Sequence, residues 1–429
     1  MKRLCFSLVL AATLGLTAAA QTTLEACHAA AERNYPLVRQ LDLIRRTCDY
    51  TLEEIRRGRL PQVQFTAQTR LQSDVTQVPI DLEALGLAGS NVPRLKRNQH
   101  SAVVDVTQSV YDGGRRKAEL AQARQQAEAD LREVESSRYA LRQRVDALFF
   151  GLLLLDEELR LNGLLQDDLA VQASRLESWI RNGVAQAADL AAVEVEQLRA
   201  RQQAAGYAAT RQGYVEQLAL LTGLPLDSTA NLARPAWRPD NGLPSAEIRR
   251  PELRQYEAQI GLLQTQRERI TAGLRPQLSL FAQGGYGRPG LDLFADRFEL
   301  YGVVGARITW NLSAFYTRPA QLNRLRTNQA AVEARRDAFL TDTRQEAVRQ
   351  QAEMARLRRL LAADDRIITL RTQIRQAAER KVAGGTLSGA ELMRDVNAEQ
   401  EARLDKALHE VQLLQAQARW KFTLNAYTP

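Results

Sequence analysis

The stretch "RLPQVQFTAQ" at 59–68 returns, with few changes, as "LRPQLSLFAQ" at 274–283. Pro61 and Pro276 lie 215 residues apart, and the same spacing joins Pro36 of "NYPLVRQLDL" to Pro251 of "RRPELRQYEA". Further on, "VTQSV" at 106–110 matches "ITWNL" at 308–312, and "NGVAQAADL" at 182–190 matches "GGTLSGAEL" at 384–392, both at a spacing of 202. The spacing shortens across "TQVPIDLEALGLAGSNVPRLKRN", a loop in the first half, where insertions are tolerated. The chain therefore reads as a tandem duplication of halves of about 200 residues.

Each half predicts the same order of elements. Residues 21–226 form the first repeat, with a leading helix, a β-hairpin at 61–111 and a long helix at 115–178. A tip at 179–189 and a returning helix at 188–222 complete it. A proline-rich linker at 227–248 leads to the second repeat, 249–429. There the hairpin is read at 276–312, the long helix at 317–380, the tip at 381–390 and the last helix at 389–425.

The strands alternate. In "FELYGVVGARITWNL" (298–312), Phe298, Leu300, Val304, Ile308, Trp310 and Leu312 share one face, with Glu299, Arg307, Thr309 and Asn311 on the other. In "QVQFTAQTRL", Val63, Phe65, Ala67 and Leu71 alternate with Gln62, Gln64, Thr66, Gln68 and Arg70. A half-buried soluble sheet alternates in the same way. Here the flanking helices are too polar to cover a sheet, so the pattern reads as membrane strands with Tyr111 and Trp310 as interface aromatics. Four strands cannot close a barrel, and open edges in lipid cost several kcal/mol per unpaired group. Membrane strands in this chain thus require several copies, and three copies supply twelve strands. "GGYGRPG" at 284–290 follows a strand, opens no helix and reads as a hairpin loop.

The helices carry a seam. From Arg115 to about Ser178 there is no proline, and Leu131, Val134, Leu141, Val145, Leu148, Leu152, Leu155 and Leu159 fall at steps of three and four. Leu169, Leu176 and Ile180 resume it, with Arg138, Asn162 and Gln166 as interruptions. Thr317 to Arg380 repeats the design, with Pro319 expected in the first turn, where proline is tolerated.

Residues 1–20, "MKRLCFSLVLAATLGLTAAA", read as a signal peptide: Lys2 and Arg3, a short apolar core, then small residues. Export turns the net charge of +8, mostly arginine, away from nucleic acid and towards solvated helix faces. Cys27 and Cys48 then remain, an even pair that fits a disulfide in an oxidising compartment. Glu25 fits a lipoprotein box ending at Cys27 badly. The three histidines are scattered and no catalytic, metal-ligating or cofactor-binding spacing appears, so no enzyme and no cofactor are expected.

The ordered set "NYPLVRQ", "RLPQVQF", "VTQSVYDGGRR", "LRPQLSL" and "ITWNL", together with the two tips, resembles the TolC family of outer-membrane efflux proteins over essentially the whole mature chain. The resemblance implies a mainly α fold with a membrane β-hairpin in each repeat. It implies a homotrimer with a twelve-stranded β-barrel in the outer membrane, continuous with a long α-helical barrel in the periplasm. It also implies docking onto a periplasmic adaptor and an inner-membrane transporter. By the same resemblance, Gly183 and Val184 of the first tip and Gly385, Thr386 and Leu387 of the second contact the adaptor, Val184 standing where the family has leucine. Asp189 and Glu391 match acidic positions of the family's entrance gate, while Arg394 stands where a further acidic residue is expected. Both carboxylates also suit a helix start, facing the dipole. The function expected is a passive exit duct for small-molecule efflux or type I secretion. The rival is a structural coiled-coil protein of the periplasm or surface, which has no need of lipid-facing strands.

Overall fold

The computed structural model describes residues 22–75, 95–183, 185–227, 230–236, 247–292, 295–384 and 386–425. The signal segment, most of the first hairpin loop, part of the linker, Val184 and Gly385 lie outside them. The elements follow in the order α1 (Leu24–Asn34), α2 (Val38–Arg57), β1 (Gln62–Leu71), β2 (Asn98–Tyr111), α3 (Arg115–Arg181) and α4 (Ala187–Thr222). Then come α5 (Pro251–Ala272), β3 (Gln277–Arg288), β4 (Glu299–Thr309), α6 (Ala314–Ala383) and α7 (Gly389–Leu424). They group into two compact units, each drawn from both repeats.

The helical unit holds α1, α3 from Val134, α4, α6 from Ala338, and α7. Most seam positions are buried here: Val134, Leu141, Val145, Leu152, Leu155, Leu169 and Leu176. One core joins Val145, Phe149, Phe150 and Leu152 of α3 to Val215 and Leu218 of α4, Val411 and Leu414 of α7, and Leu24, Cys27 and Ala31 of α1. A second gathers Leu169, Leu176, Val193, Ala378, Val382, Leu392, Met393 and Val396 near the tips. Of the seam interruptions, buried Asn162 accepts from Gln166 Nε2 at 2.6 Å, while Arg138 lies 3.9 Å from Glu32 of α1 with its Nε buried and without a hydrogen-bond partner. Near the end of the linker, the Arg250 guanidinium sits 4.4 Å from the Phe422 ring centroid and 4.9 Å from that of Tyr139. Tyr139 itself stacks on Phe422 and donates to its carbonyl at 2.6 Å.

Helix α1 precedes Pro36, the first repeat-matched proline, and has no counterpart of its own in the single leading helix read from sequence. Thr23 starts it by accepting from Ala26 N at 3.2 Å. It is fastened by the buried pair His28 Nε2–Asp146 Oδ1 at 2.6 Å, by Arg142 Nε donating to Glu32 at 2.6 Å, and by backbone bonds of Thr22 to Asn231 and Ala233. This packing corrects the disulfide expectation. Cys27 and Cys48 are both free thiols. Cys27, 0% exposed, is a core residue of α1. Cys48 lies on α2, with its Sγ 3.9 Å from the Ala123 carbonyl. Burial, with the Glu25 charge adding, pushes the Cys27 thiol up to about 11. A neutral thiol is thus favoured in the native state, so this contribution to stability is lost as pH rises from the ordinary thiol range through 11. Iodoacetamide at pH 8 is expected to label one cysteine in the native protein, Cys48, and two after denaturation, read by intact mass; native labelling of Cys27 refutes the packing.

The strand unit holds α2, the start of α3, α5, the start of α6 and an antiparallel sheet of order β1-β2-β3-β4. Pro61 and Pro276 stand immediately before β1 and β3, after the short turns that end α2 and α5. The "DGG" of the first strand-to-helix corner has a physical reading. Gly113 and Gly114 take φ of 69° and 86°, where side chains are strained. Asp112 accepts from Gly114 N at 2.9 Å and from Arg116 N at 3.2 Å, so it starts α3. A Cβ on Gly113 would also stand 2.8 Å from that of Arg275.

Two sequence expectations change here. Residues 284–288 of "GGYGRPG" are not loop but the end of β3, paired through Gly284↔Gly302, Gly285↔Tyr301 and Gly287↔Glu299. The glycines leave room for rings: the Tyr301 ring occupies the space a Cβ on Gly285 would need, and Phe281 does the same at Gly305. An aromatic side chain lying over a cross-strand glycine restores the packing that glycine lacks. Pro319 is not in the first turn of its helix, because α6 begins at Ala314. It sits in the second turn, where its ring nitrogen has no hydrogen to offer the Phe315 carbonyl.

Candidate functional site: an apolar sheet face and paired helical tips

One face of the sheet is apolar and uncovered within the chain. The register aligns Phe65↔Val104 and Val63↔Val106, then Ala282↔Val304, Tyr286↔Leu300 and Leu278↔Ile308. On this face Phe65 is 68% exposed, Val304 81% and Leu300 84%. Water does not favour this arrangement, since each such side chain forgoes roughly 1.5–3 kcal/mol of burial. The opposite face carries Gln64, Gln68, Arg70, Asp105, Gln283 and Arg307, with the Arg307 guanidinium 4.9 Å from the Phe281 ring centroid. The outer edges of β1 and β4 have no strand partner in this sheet.

The aromatics bracket the apolar face. Trp310 and Tyr111, read from sequence as interface residues, are each about half exposed where the strands meet the helices. Trp310 Nε1 donates to the Leu274 carbonyl at 2.9 Å, an amphipathic ring with its polar atom satisfied. At the other end Tyr286 stacks on Phe298 at 5.4 Å, and Phe298 on His100 at 6.2 Å. The sequence reading missed this second group, although the alternation already put Phe298 on the apolar face. Ten residue steps separate Leu300 from Trp310. At about 3.3 Å each and a tilt near 40° they rise roughly 25 Å, the height of the apolar band of outer-membrane barrels. Among the described residues, no helix is long and apolar enough to cross a membrane.

The tips lie in the helical unit. After α3, Gly183 takes φ 71° and its N–H bonds to the Ile180 carbonyl at 3.0 Å, the left-handed stop that favours glycine. After α6, Thr386 donates to the Lys381 carbonyl through both N and Oγ1, each at 3.0 Å. Helix α7 opens on a capping box: Glu391 N donates to Ser388 Oγ at 3.3 Å, and Ser388 N to Glu391 Oε2 at 3.1 Å. The Ser388 N–H, then its hydroxyl, then the charge of Arg394 hold the Glu391 carboxyl below its ordinary value. Asp189 serves two helices. Its Oδ2 accepts from Gln186 N at 3.1 Å at the start of α4, and its Oδ1 from Gly389 N at 2.9 Å at the start of α7. Gly389 is needed for this approach, since a Cβ there would lie 2.7 Å from that of Asp189.

The candidate tip residues thus divide. Asp189 and Glu391 both act at helix starts. Arg394 is exposed beside Glu391, Thr386 is exposed, and Leu387 packs partly against the core beneath the tips. Val184 and Gly385 lie outside the described residues.

Above the tips is an ion network the sequence reading did not single out. Buried Glu399 accepts from Arg375 Nε at 2.6 Å, Arg403 Nη2 at 2.5 Å and Thr372 Oγ1 at 2.8 Å. Arg375 also reaches Glu379, which accepts from Gln172 at 3.0 Å. Burial pushes the Glu399 carboxyl up, but its hydrogen bonds and the Arg375 charge outweigh this and hold it below the ordinary value. A lowered pKa contributes stability that is present above the unfolded carboxyl range and lost as pH falls through the folded value. Glu399→Gln is therefore expected to lower Tm at pH 7 and to shrink the difference from the parent as pH drops from 5 towards 3, followed by circular dichroism. A constant difference across that range would remove the charge argument. Among the described residues, no three His, Cys, Asp or Glu side chains gather as a metal site.

A sheet with one lipid-compatible face, continuous in sequence with long seamed helices, is a strand-and-helix architecture suited to a membrane. Residues 27–224 match the family model described as outer membrane efflux protein. The fold is that of VceC from Vibrio cholerae, an outer membrane protein, with TM-score 0.68 at 14% identity over 94% of this chain and 95% of that one. It is also that of the outer membrane channels CmeC of Campylobacter jejuni (TM-score 0.67, 12% identity, 94% and 85% covered) and MtrE of Neisseria gonorrhoeae (0.66, 16%, 94% and 88%). No curated protein matches the sequence. By sequence the first repeat matches the outer membrane efflux protein family, and over nearly its whole length the chain shares the fold of these outer-membrane proteins.

Proposed function

We propose that three copies of this chain close a twelve-stranded barrel and form the passive outer-membrane exit duct of a tripartite efflux system. The observation that carries this reading is the four-stranded sheet with an apolar, uncovered face and two unpaired edges. In lipid, such edges must meet those of other copies. Cargo enters at the tips, where Gly183, Val184, Gly385, Thr386 and Leu387 meet a periplasmic adaptor, and an inner-membrane transporter supplies the energy. Asp189, Glu391 and Arg394 surround the entrance. Small molecules are the expected cargo, in preference to secreted proteins. The structural coiled-coil alternative gives no role to the exposed Phe65, Leu300 and Val304.

The test is fractionation followed by conductance. The protein should stay in the detergent-insoluble outer-membrane fraction, run as a trimer after cross-linking, and give discrete channels in planar bilayers. A soluble periplasmic monomer would refute the duct. A deletion strain with unchanged sensitivity to a broad compound panel would refute small-molecule efflux while leaving the channel standing.

A further inference from the structure

A cavity of about 760 Å³ lies in the strand unit between the first turns of α3, the end of α5 and the start of α6. Its floor includes Leu263, Leu325 and Ala272, and its rim carries four cations: Lys117, Arg267, Arg275 and Arg326. Glu268 is the one carboxylate on the lining. Several other arginines of this unit pair along their own helices, as in Arg46–Asp42, Arg57–Glu53 and Arg132–Glu128. Among the described residues, none of the four rim cations has an acidic side chain within ion-pair distance. Arg275 donates to the Gly113 carbonyl at 3.2 Å and Arg326 to Asn323 Oδ1 at 3.3 Å, bonds that orient the guanidinium groups without neutralising them.

We propose that this groove is a binding site for a phosphate-bearing anion. Cations of like sign on one concave wall repel one another, and an anion between them relieves this. Guanidinium forks match phosphate oxygens in a bidentate manner, and an ammonium adds a point charge. The apolar floor suits whatever the phosphate is attached to. Along the chain, Arg275 stands two residues before β3 and Lys117 six residues after β2, at the end of the sheet that Trp310 marks. The ligand is a phospholipid headgroup of the periplasmic leaflet or a free phosphate. The lipid source rests on the membrane reading above; the phosphate site does not.

The test uses the purified full chain in a neutral detergent, titrated with inorganic phosphate, and in nanodiscs of phosphatidylcholine with or without phosphatidylglycerol, read by native mass spectrometry. The parent is expected to bind one probe per subunit. Arg267→Ala with Arg326→Ala should weaken binding about tenfold or more, and Glu268→Gln should strengthen it a few-fold. Arg324→Ala, which removes the same charge from the same helix outside the groove, should leave it unchanged. Phosphatidylglycerol retained against excess inorganic phosphate assigns the lipid; displacement by inorganic phosphate assigns the free anion. If neither probe binds, or Arg324→Ala weakens binding as much as the groove variants, the site is overturned. Thermal melts of each variant establish that it is folded.

Discussion

Val304→Arg is expected to keep the protein out of the outer membrane. Val304 is 81% exposed, pairs with Ala282 and lies midway along the apolar face between Leu300 and Ile308. Arginine on the lipid face at the bilayer midplane costs about 2–4 kcal/mol in a barrel, and a closed assembly of identical subunits incurs it once per copy. Against the 5–15 kcal/mol that typically separates folded from unfolded states, three such costs in the proposed trimer are decisive. The measurement is the ratio of assembled to unassembled protein in outer-membrane fractions. Val303→Arg is the matched control. Its neighbour in sequence faces the polar side with Gln283, so it should assemble normally. If both variants assemble alike, the inside-outside assignment of the sheet is wrong.

The second large effect belongs to Asp189. Asp189→Ala removes the acceptor of the Gln186 and Gly389 N–H groups together, and with it the bond between the starts of α4 and α7. Losing a helix-start acceptor costs about 1 kcal/mol, and a hydrogen bond to a charged group about 1.5–3 kcal/mol. The tips should therefore loosen by roughly 2–4 kcal/mol per subunit, seen as faster hydrogen exchange at Gly389 and Leu190 and a longer open time in single-channel recordings. Asp189→Asn keeps an acceptor without the charge and should fall between. The core beneath, with Leu176, Val193 and Leu392, is untouched, so far-ultraviolet circular dichroism should not change. Unaltered exchange at Gly389 would show that the bond contributes nothing.

Much of this molecule is legible in its sequence because its elements are long and repeat. The 62–71 alternation marks β1 residue for residue, and the seam from Val134 to Leu176 marks the buried face of α3. The failures have local causes. Glycines at 284, 285 and 287 look like a loop until their pairing with β4 and the Tyr301 ring over Gly285 are known. The start of α1 carries only Thr23 as a signal, since its buried residues include alanines and a histidine rather than a leucine stripe. The Cys27–Cys48 pairing rested on parity alone, and the packing of α1 and α2 overrules parity. In the tips, the family resemblance pointed to Asp189 and Glu391. That a single carboxylate would serve the helix starts at both Ala187 and Gly389 required the fold.

The unpaired edges of β1 and β4 carry a genetic consequence. A sheet that can be completed only by sister copies makes every subunit a participant in every neighbour's success. A subunit with a spoiled edge is then worse than an absent one. It can join one partner at its good edge and block ring closure for the rest. In the proposed ring of three, a cell making normal and spoiled chains in equal amounts retains about one intact ring in eight, rather than half. Edge mutations should therefore be dominant, whereas loss of the gene should be recessive.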